Sequence, residues 1–155
     1  MLFRSPLTLA ETASVFGEML TFREMLDTEP NAKRRRILLA GKVEDMMNTV
    51  IRQIAFHQFE QQVHAERPKG ELSAERLGQI WMQVQRESLG PAFRFDDEYR
   101  HFWAYIPHFL HAPFYVYAYA FGDCLVNSLY DVLQQGHPGL EAQSFDMVKA
   151  GGTLR

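Results

Sequence analysis

Apolar side chains recur at helical spacing along most of the chain. After the start signals of Ser5-Pro6-Leu7-Thr8, the stripe Leu9, Ala13, Phe16 and Leu20 predicts a helix running to about Leu26. Asp27 to Asn31, with Pro30, reads as a break. From Ala32 to about Arg67 no proline interrupts, and Gly41 is the one weak point. Ile37, Leu38, Val43, Met46, Met47, Val50, Ile51, Ile54, Phe56 and Phe59 recur there at spacings of three and four. This predicts one long helix, about 50 Å if unbroken at a rise of about 1.5 Å per residue. Its apolar positions lie on more than one side, so its middle is expected to be packed on several sides.

Pro68-Lys69-Gly70 ends that helix. Ser73 is placed to cap a third, with Leu77, Ile80, Trp81, Val84 and Leu89 as its buried face and Gly90-Pro91 as its stop. The next stretch, AFRFDDEYRHFWAYIPHFLHAP, is dense in aromatics, broken by Pro107 and Pro113, and without a clean period. It reads as an irregular crossing with a short helix at Asp97 to Tyr105. Pro113 fits the first turn of a helix to about Gln135, and Gly136-His137-Pro138-Gly139 reads as a turn. A last helix is expected over about Leu140 to Ala150, ended by Gly151-Gly152. No segment alternates with period two for long, and there is no repeat or low-complexity tract. The pattern predicts an all-α fold, a bundle of about five helices including the long one.

The first helix carries an oddity. Glu11 and Glu18 are seven residues apart, two helical turns, and share a face beside a stripe that reads as core, with Ser14 between them. They are either two acids at the margin of a half-buried helix or a site where a cation compensates a desolvated carboxylate. A second cluster is HQFEQQVH: His57, Glu60 and His64 lie at i, i+3 and i+7 on one face. That arrangement suits zinc or iron, and it equally suits polar residues hydrogen-bonded between packed helices. A third is IPHFLHAPFYVYAYAFGD. His108 and His111 precede a helix expected to bear Tyr115, Tyr117 and Tyr119, with Tyr115 and Tyr119 projecting together. Such hydroxyls suit either an aromatic core edge or hydrogen bonding to a developing oxyanion. His101 and His137 read as surface histidines, and Met19, Met25, Met46, Met47 and Met82 as core filler.

Composition narrows the classes. The chain has 155 residues, enough for one domain or a large piece of one, with 46% hydrophobic and 23% charged residues. A formal net charge of -3 gives no reason to expect nucleic acid or an anionic membrane surface. The basic run Lys33-Arg34-Arg35-Arg36 reads as a solvated helix start. Its most apolar run, Ala112 to Phe121, is about ten residues, against roughly 20 needed to span a bilayer. The single cysteine, Cys124, cannot form an internal disulfide and is expected to pack as a small apolar side chain, which fits the reducing cytoplasm. Both ends read as cut, with Met1 an internal start.

Three stretches in order resemble a known family. AETASVFGEML, RQIAFHQFE followed by His64, and IPHFLHAPFYVYAYAFG, with KAGG near the end, are similar to the C-terminal part of oligoendopeptidase F and its relatives, the thimet-type zinc metallopeptidases. The resemblance covers nearly the whole chain. It implies a zinc-dependent endopeptidase acting on short peptides. In that family two histidines of an HExxH helix and a later glutamate, which opens an E-[TA]-x-S motif, hold one zinc ion. Carried onto this chain, that glutamate is Glu11, and the family's second acid is Glu18, orienting a ligand. His108, Tyr115 and Tyr119 fall on the substrate- and oxyanion-binding positions, with Tyr117 the neighbouring alternative. By the same resemblance His57, Glu60 and His64 are structural.

No HExxH occurs in these residues. The resemblance therefore implies a portion of a peptidase, inactive alone, whose other zinc ligands come from the remainder of the peptidase chain. In such a portion Glu11 is expected to be exposed or paired otherwise. The rival expectations are a non-catalytic helical binding module that has lost the metal helix, and a four-helix metal protein using His57, Glu60 and His64.

Overall fold

The computed structural model describes residues 6–136, 139, 142, 143 and 146. Among them there is no strand, and the fold is all-α. The helices are α1 (Leu7–Ala10), α2 (Thr12–Thr28), α3 (Ala32–Met46), α4 (Arg52–Glu66), α5 (Ala74–Leu89), α6 (His108–His111) and α7 (Tyr117–Gln134). A π-helical turn, Met47–Ile51, links α3 to α4, and 3-10 turns cover Arg67–Lys69 and Asp97–Tyr105. The expected last helix, Leu140 to Ala150 with Gly151-Gly152, lies outside the described residues apart from Ala142, Gln143 and Asp146. So do Ser5 and part of the turn at His137-Pro138. Among the described residues no helix is long and apolar enough to cross a membrane.

The chain divides into two compact units, Ile51–Tyr117 and the combination of Met1–Val50 with Ala118–Arg155. In the Ile51–Tyr117 unit, α4 and α5 form an antiparallel hairpin. A Glu66–Arg76 ion pair (2.5 Å) lies near its turn, and Ser88 Oγ donates to the Ile51 carbonyl (3.3 Å) at its open end. Ser73 caps α5 as expected, its hydroxyl accepting from the Arg76 N–H at 3.1 Å. The core gathers Phe56 and Phe59 of α4, Ile80, Trp81 and Val84 of α5, and Val116. Trp81 stacks on Phe56 and meets Phe59 edge-on, with ring centroids 5.3 and 5.4 Å apart, geometry that aromatic quadrupoles favour. Gln85, fully buried in this apolar stripe, accepts the Tyr99 hydroxyl at 3.3 Å, which brings the Asp97–Tyr105 turn onto α5.

In the other unit the buried stripe of α2 is Thr12, Val15, Met19 and Leu26, not the expected Leu9, Ala13, Phe16 and Leu20. Ala13 and Leu20 are exposed. Apolar residues occupy most of the circumference of this helix, so periodicity alone does not choose the face. Packing against Val126 of α7 does, with Phe16 and Tyr130 at the margin. Cys124 is also exposed, contrary to expectation, because α7 turns Ala118, Gly122 and Val126 inward.

The long helical run from Ala32 to Glu66 forms, with the π turn inside it. An i→i+5 turn inserts one residue into the 3.6 repeat, which accounts for apolar positions on more than one side. Its middle is not packed on several sides. No residue of α3 is buried, Ile37 and Val43 are 62% and 59% exposed, and Met46, Met47, Ile51 and Ile54 are exposed as well. Met25 is likewise exposed, so of the expected core methionines only Met19 and Met82 are buried. The basic run opens α3 on the surface, although Arg35 reaches back to the Leu26 carbonyl.

Asn31 starts α3, its side chain accepting from the N–H groups of Lys33 (2.9 Å) and Arg34 (3.2 Å). Asn31→Ala removes both bonds. It is expected to cost about 1 kcal/mol and lower the melting temperature by roughly 2–4 °C, as read by thermal denaturation.

Candidate active site

The segment between α6 and α7 is held in an unusual conformation. Phe114 has φ +59°, the left-handed region, where a bulky side chain costs of order 1–3 kcal/mol. This is why α7 begins at Tyr117 and not at Pro113 as the proline signal predicts. The consequence for chemistry is direct. Tyr115 precedes the helix, so its expected i, i+4 pairing with Tyr119 on one helix does not form; Tyr117 opens the helix and Tyr119 lies within it. Tyr115 instead follows a turn closed by its own N–H on the Ala112 carbonyl (3.1 Å), and its ring stacks on His108 at 5.8 Å with planes 20° apart. His108 opens α6. The segment thus brings two of the sequence-predicted residues, His108 and Tyr115, side by side.

Beneath them lies the HQFEQQVH face of α4. Glu60 is 2% exposed and one carboxylate oxygen accepts the Phe114 N–H at 2.7 Å, a short charge-assisted bond. His64 packs on the Phe114 ring at 4.6 Å, and His57 on Phe114 and Tyr117 at 6.1 and 5.4 Å. Burial raises the Glu60 pKa above its ordinary value, opposed by the Phe114 N–H and by His57, His64 and His108. The three α4 residues therefore engage the segment before α7, the packing role the resemblance implies for them. Tyr117, with its ring on His57, is turned to the same packing.

Glu11 sits at the joint between α1 and α2, at the N-cap position of α2, its carbonyl accepting from Val15 N–H at 3.0 Å. It is half-buried. Gly122 of α7 lies against it: a Cβ built there would come 3.4 Å from the Glu11 Cβ. One turn earlier on α7 is Tyr119, whose phenol pKa is raised by burial and then by the negative charge of Glu11. The two are neighbours, and the carboxylate's charge opposes ionisation of the phenol. Glu18 and Ser14 are exposed on α2.

Among the described residues no group of three or more His, Cys, Asp or Glu side chains is arranged to hold a metal ion. The His57 and His64 rings pack on Phe114 and Tyr117 and one Glu60 oxygen accepts the Phe114 N–H, so the four-helix metal protein gains no support. The same finding bears on zinc at Glu11. A mononuclear site needs about three protein ligands, and Glu11, a half-buried carboxylate beside a phenol, fits as one donor of a shared set and not as a complete site.

Asp123, 2% exposed on α7, had no signal in the sequence. It accepts from the Asn127 side chain at 3.2 Å, and burial raises its pKa, with Lys42 opposing and Asp45 adding to the shift. For Glu60 and Asp123 alike, the folded state holds the proton more tightly than the unfolded chain. Each contribution to stability is full at low pH and is lost as pH rises from the ordinary carboxyl value through the raised one. The Glu60→Gln, Asp123→Asn double variant is therefore expected to gain melting temperature relative to the parent as pH goes from about 4 to about 7.

The all-α fold and the sequence both have counterparts among known peptidases. The chain is 31% identical over 147 residues to oligopeptidase PepF of Bacillus subtilis, covering 94% of this chain and 22% of that protein. It is 29% identical over 145 residues to an oligoendopeptidase F homolog of Borreliella burgdorferi, covering 93% and 24%. The crystal structure of oligoendopeptidase-F from Enterococcus faecium superposes with a TM-score of 0.81 at 30% identity, over 93% of this chain and 28% of that one. The chain thus spans about a quarter of the length of the curated relatives it matches. The profile of peptidase family M3 matches residues 2–152, and the chain belongs to that family.

Proposed function

We propose that residues 1–155 are the C-terminal portion of the catalytic domain of a zinc-dependent, oligoendopeptidase F-like metalloendopeptidase that cleaves short peptides. Membership of peptidase family M3 across almost the entire chain carries this reading. In it Glu11 is the third zinc ligand, and two histidines of an HExxH helix, absent from these residues, supply the others. When bound, zinc polarises the scissile carbonyl and lowers the pKa of a water molecule. The chain's own residues do the rest. Glu18 orients a ligand. His108 and Tyr115 bind the substrate backbone, with Tyr117 the alternative position. Tyr119 or Tyr115 donates its hydroxyl to the oxyanion that develops on the attacked carbonyl. A phenol kept neutral by burial and by Glu11 is suited to that task.

The remainder of the peptidase chain is the partner this reading requires. The exposed apolar side chains of α3, Ile37 and Val43 foremost, support a surface that such a remainder covers. The single cysteine supports a reducing, cytoplasmic setting. The test is a chimera in which this chain replaces the aligned segment of Bacillus subtilis oligopeptidase PepF. Zinc-dependent hydrolysis of short fluorogenic peptides is the expected result. A folded chimera that binds zinc and cleaves no peptide would favour the non-catalytic binding module.

A further inference from the structure

We infer that Glu60, with His57 and His64, forms a clamp that fixes the segment 112–116 and so positions Tyr115 beside His108. The clamp is assembled from one face of α4, where residues at i, i+3 and i+7 point the same way. All three engage the same strained residue. Glu60 takes the Phe114 N–H at 2.7 Å. His64 and His57 hold the Phe114 ring from two directions, at 4.6 and 6.1 Å with interplanar angles of 48° and 72°.

A left-handed phenylalanine persists only when its surroundings overdetermine it. A buried carboxylate persists only when something repays its desolvation. Here each answers the other: the amide satisfies one oxygen of Glu60, and Glu60 holds the amide where φ +59° puts it. Releasing Phe114 would let its backbone return to φ below zero. The next residue is Tyr115, whose side chain would then leave the ring of His108. Glu60 is thus a positioning residue that touches no substrate itself.

The clamp stands on the geometry alone. Its link to substrate rests on the peptidase reading, and two measurements separate them. The first is amide hydrogen exchange in the 155-residue chain. Glu60→Leu, which has no acceptor, is expected to speed exchange at Phe114 and Tyr115 by about tenfold or more, the scale of losing a hydrogen bond to a charged group. Glu60→Gln keeps a carbonyl oxygen as acceptor and is expected to retain most of the protection. Protection across α5 serves as the check that each variant is folded. If Glu60→Leu does not fold, His64→Ala replaces it: His64 is exposed, and loss of its ring is expected to speed exchange at Phe114 with α5 unchanged. Unchanged exchange at Phe114 in the folded variant, or a Glu60→Gln as unprotected as Glu60→Leu, overturns the clamp.

The second measurement is kcat/KM of the chimera. Glu60→Leu is expected to lower it about tenfold or more and Glu60→Gln to restore it. If exchange follows the expectation but the unsubstituted chimera is inactive, the peptidase reading fails and the clamp stands.

Discussion

Glu11→Ala is expected to abolish peptide hydrolysis by the chimera and to weaken its zinc affinity by more than about 100-fold. Removing residues that merely support a metal ligand costs about 10–100-fold, so removing a ligand itself starts at the upper end of that range. The fold should tolerate the change. Alanine keeps the Cβ that lies against Gly122, and Glu11 is only half-buried. The 155-residue chain offers a readout that does not depend on activity. The Tyr119 phenol is held above its ordinary pKa by burial and by the Glu11 charge, so its ultraviolet titration should move to lower pH in Glu11→Ala. Loss of turnover without that shift would place the acid elsewhere.

The phenols come next in size. Tyr115→Phe or Tyr119→Phe in the chimera is expected to lower kcat by about 10²–10³-fold, or about 2.7–4 kcal/mol, with a much smaller rise in KM, the mark of a donor used only as charge develops. The two positions differ in what they predict. Tyr119 is kept protonated by burial and an acidic neighbour, whereas Tyr115 stacks on His108 in a segment outside any helix. A variant that raises KM and leaves kcat intact therefore marks a substrate-binding tyrosine, expected first at Tyr115. Unchanged turnover in both would move the role to Tyr117.

Helix identities were readable from periodicity and punctuation. The break at Asp27 to Asn31, the Ser73 cap, the Gly90 stop and the short turn over Asp97–Tyr105 all stand where the residues signal them. Faces were less legible. Along α1 and α2 the stripes that run through Leu9 and through Val15 both carry apolar residues, and the contact with Val126 of α7 selects the second. In the long helical run a π turn changes the phase midway, which no residue type announces. The start of α7 was misplaced because a proline signal is local, while the left-handed Phe114 is imposed by Glu60, 54 positions earlier in the chain. The same long-range contact explains why HQFEQQVH could read as a metal site. Its spacing specifies a shared face, and what occupies that face is set by tertiary structure. Asp123 and the side-chain carbonyl of Gln85 are buried acceptors whose partners, Asn127 and Tyr99, the pattern does not mark as such.

Zinc affinity of the chimera with and without the Glu11 carboxylate, measured by competition with a chromogenic chelator, decides the matter most directly. With Glu11 a donor of the shared site, the parent binds zinc tightly and Glu11→Ala loses more than about 100-fold in affinity along with all turnover. Equal zinc affinity and equal turnover in the two would contradict it.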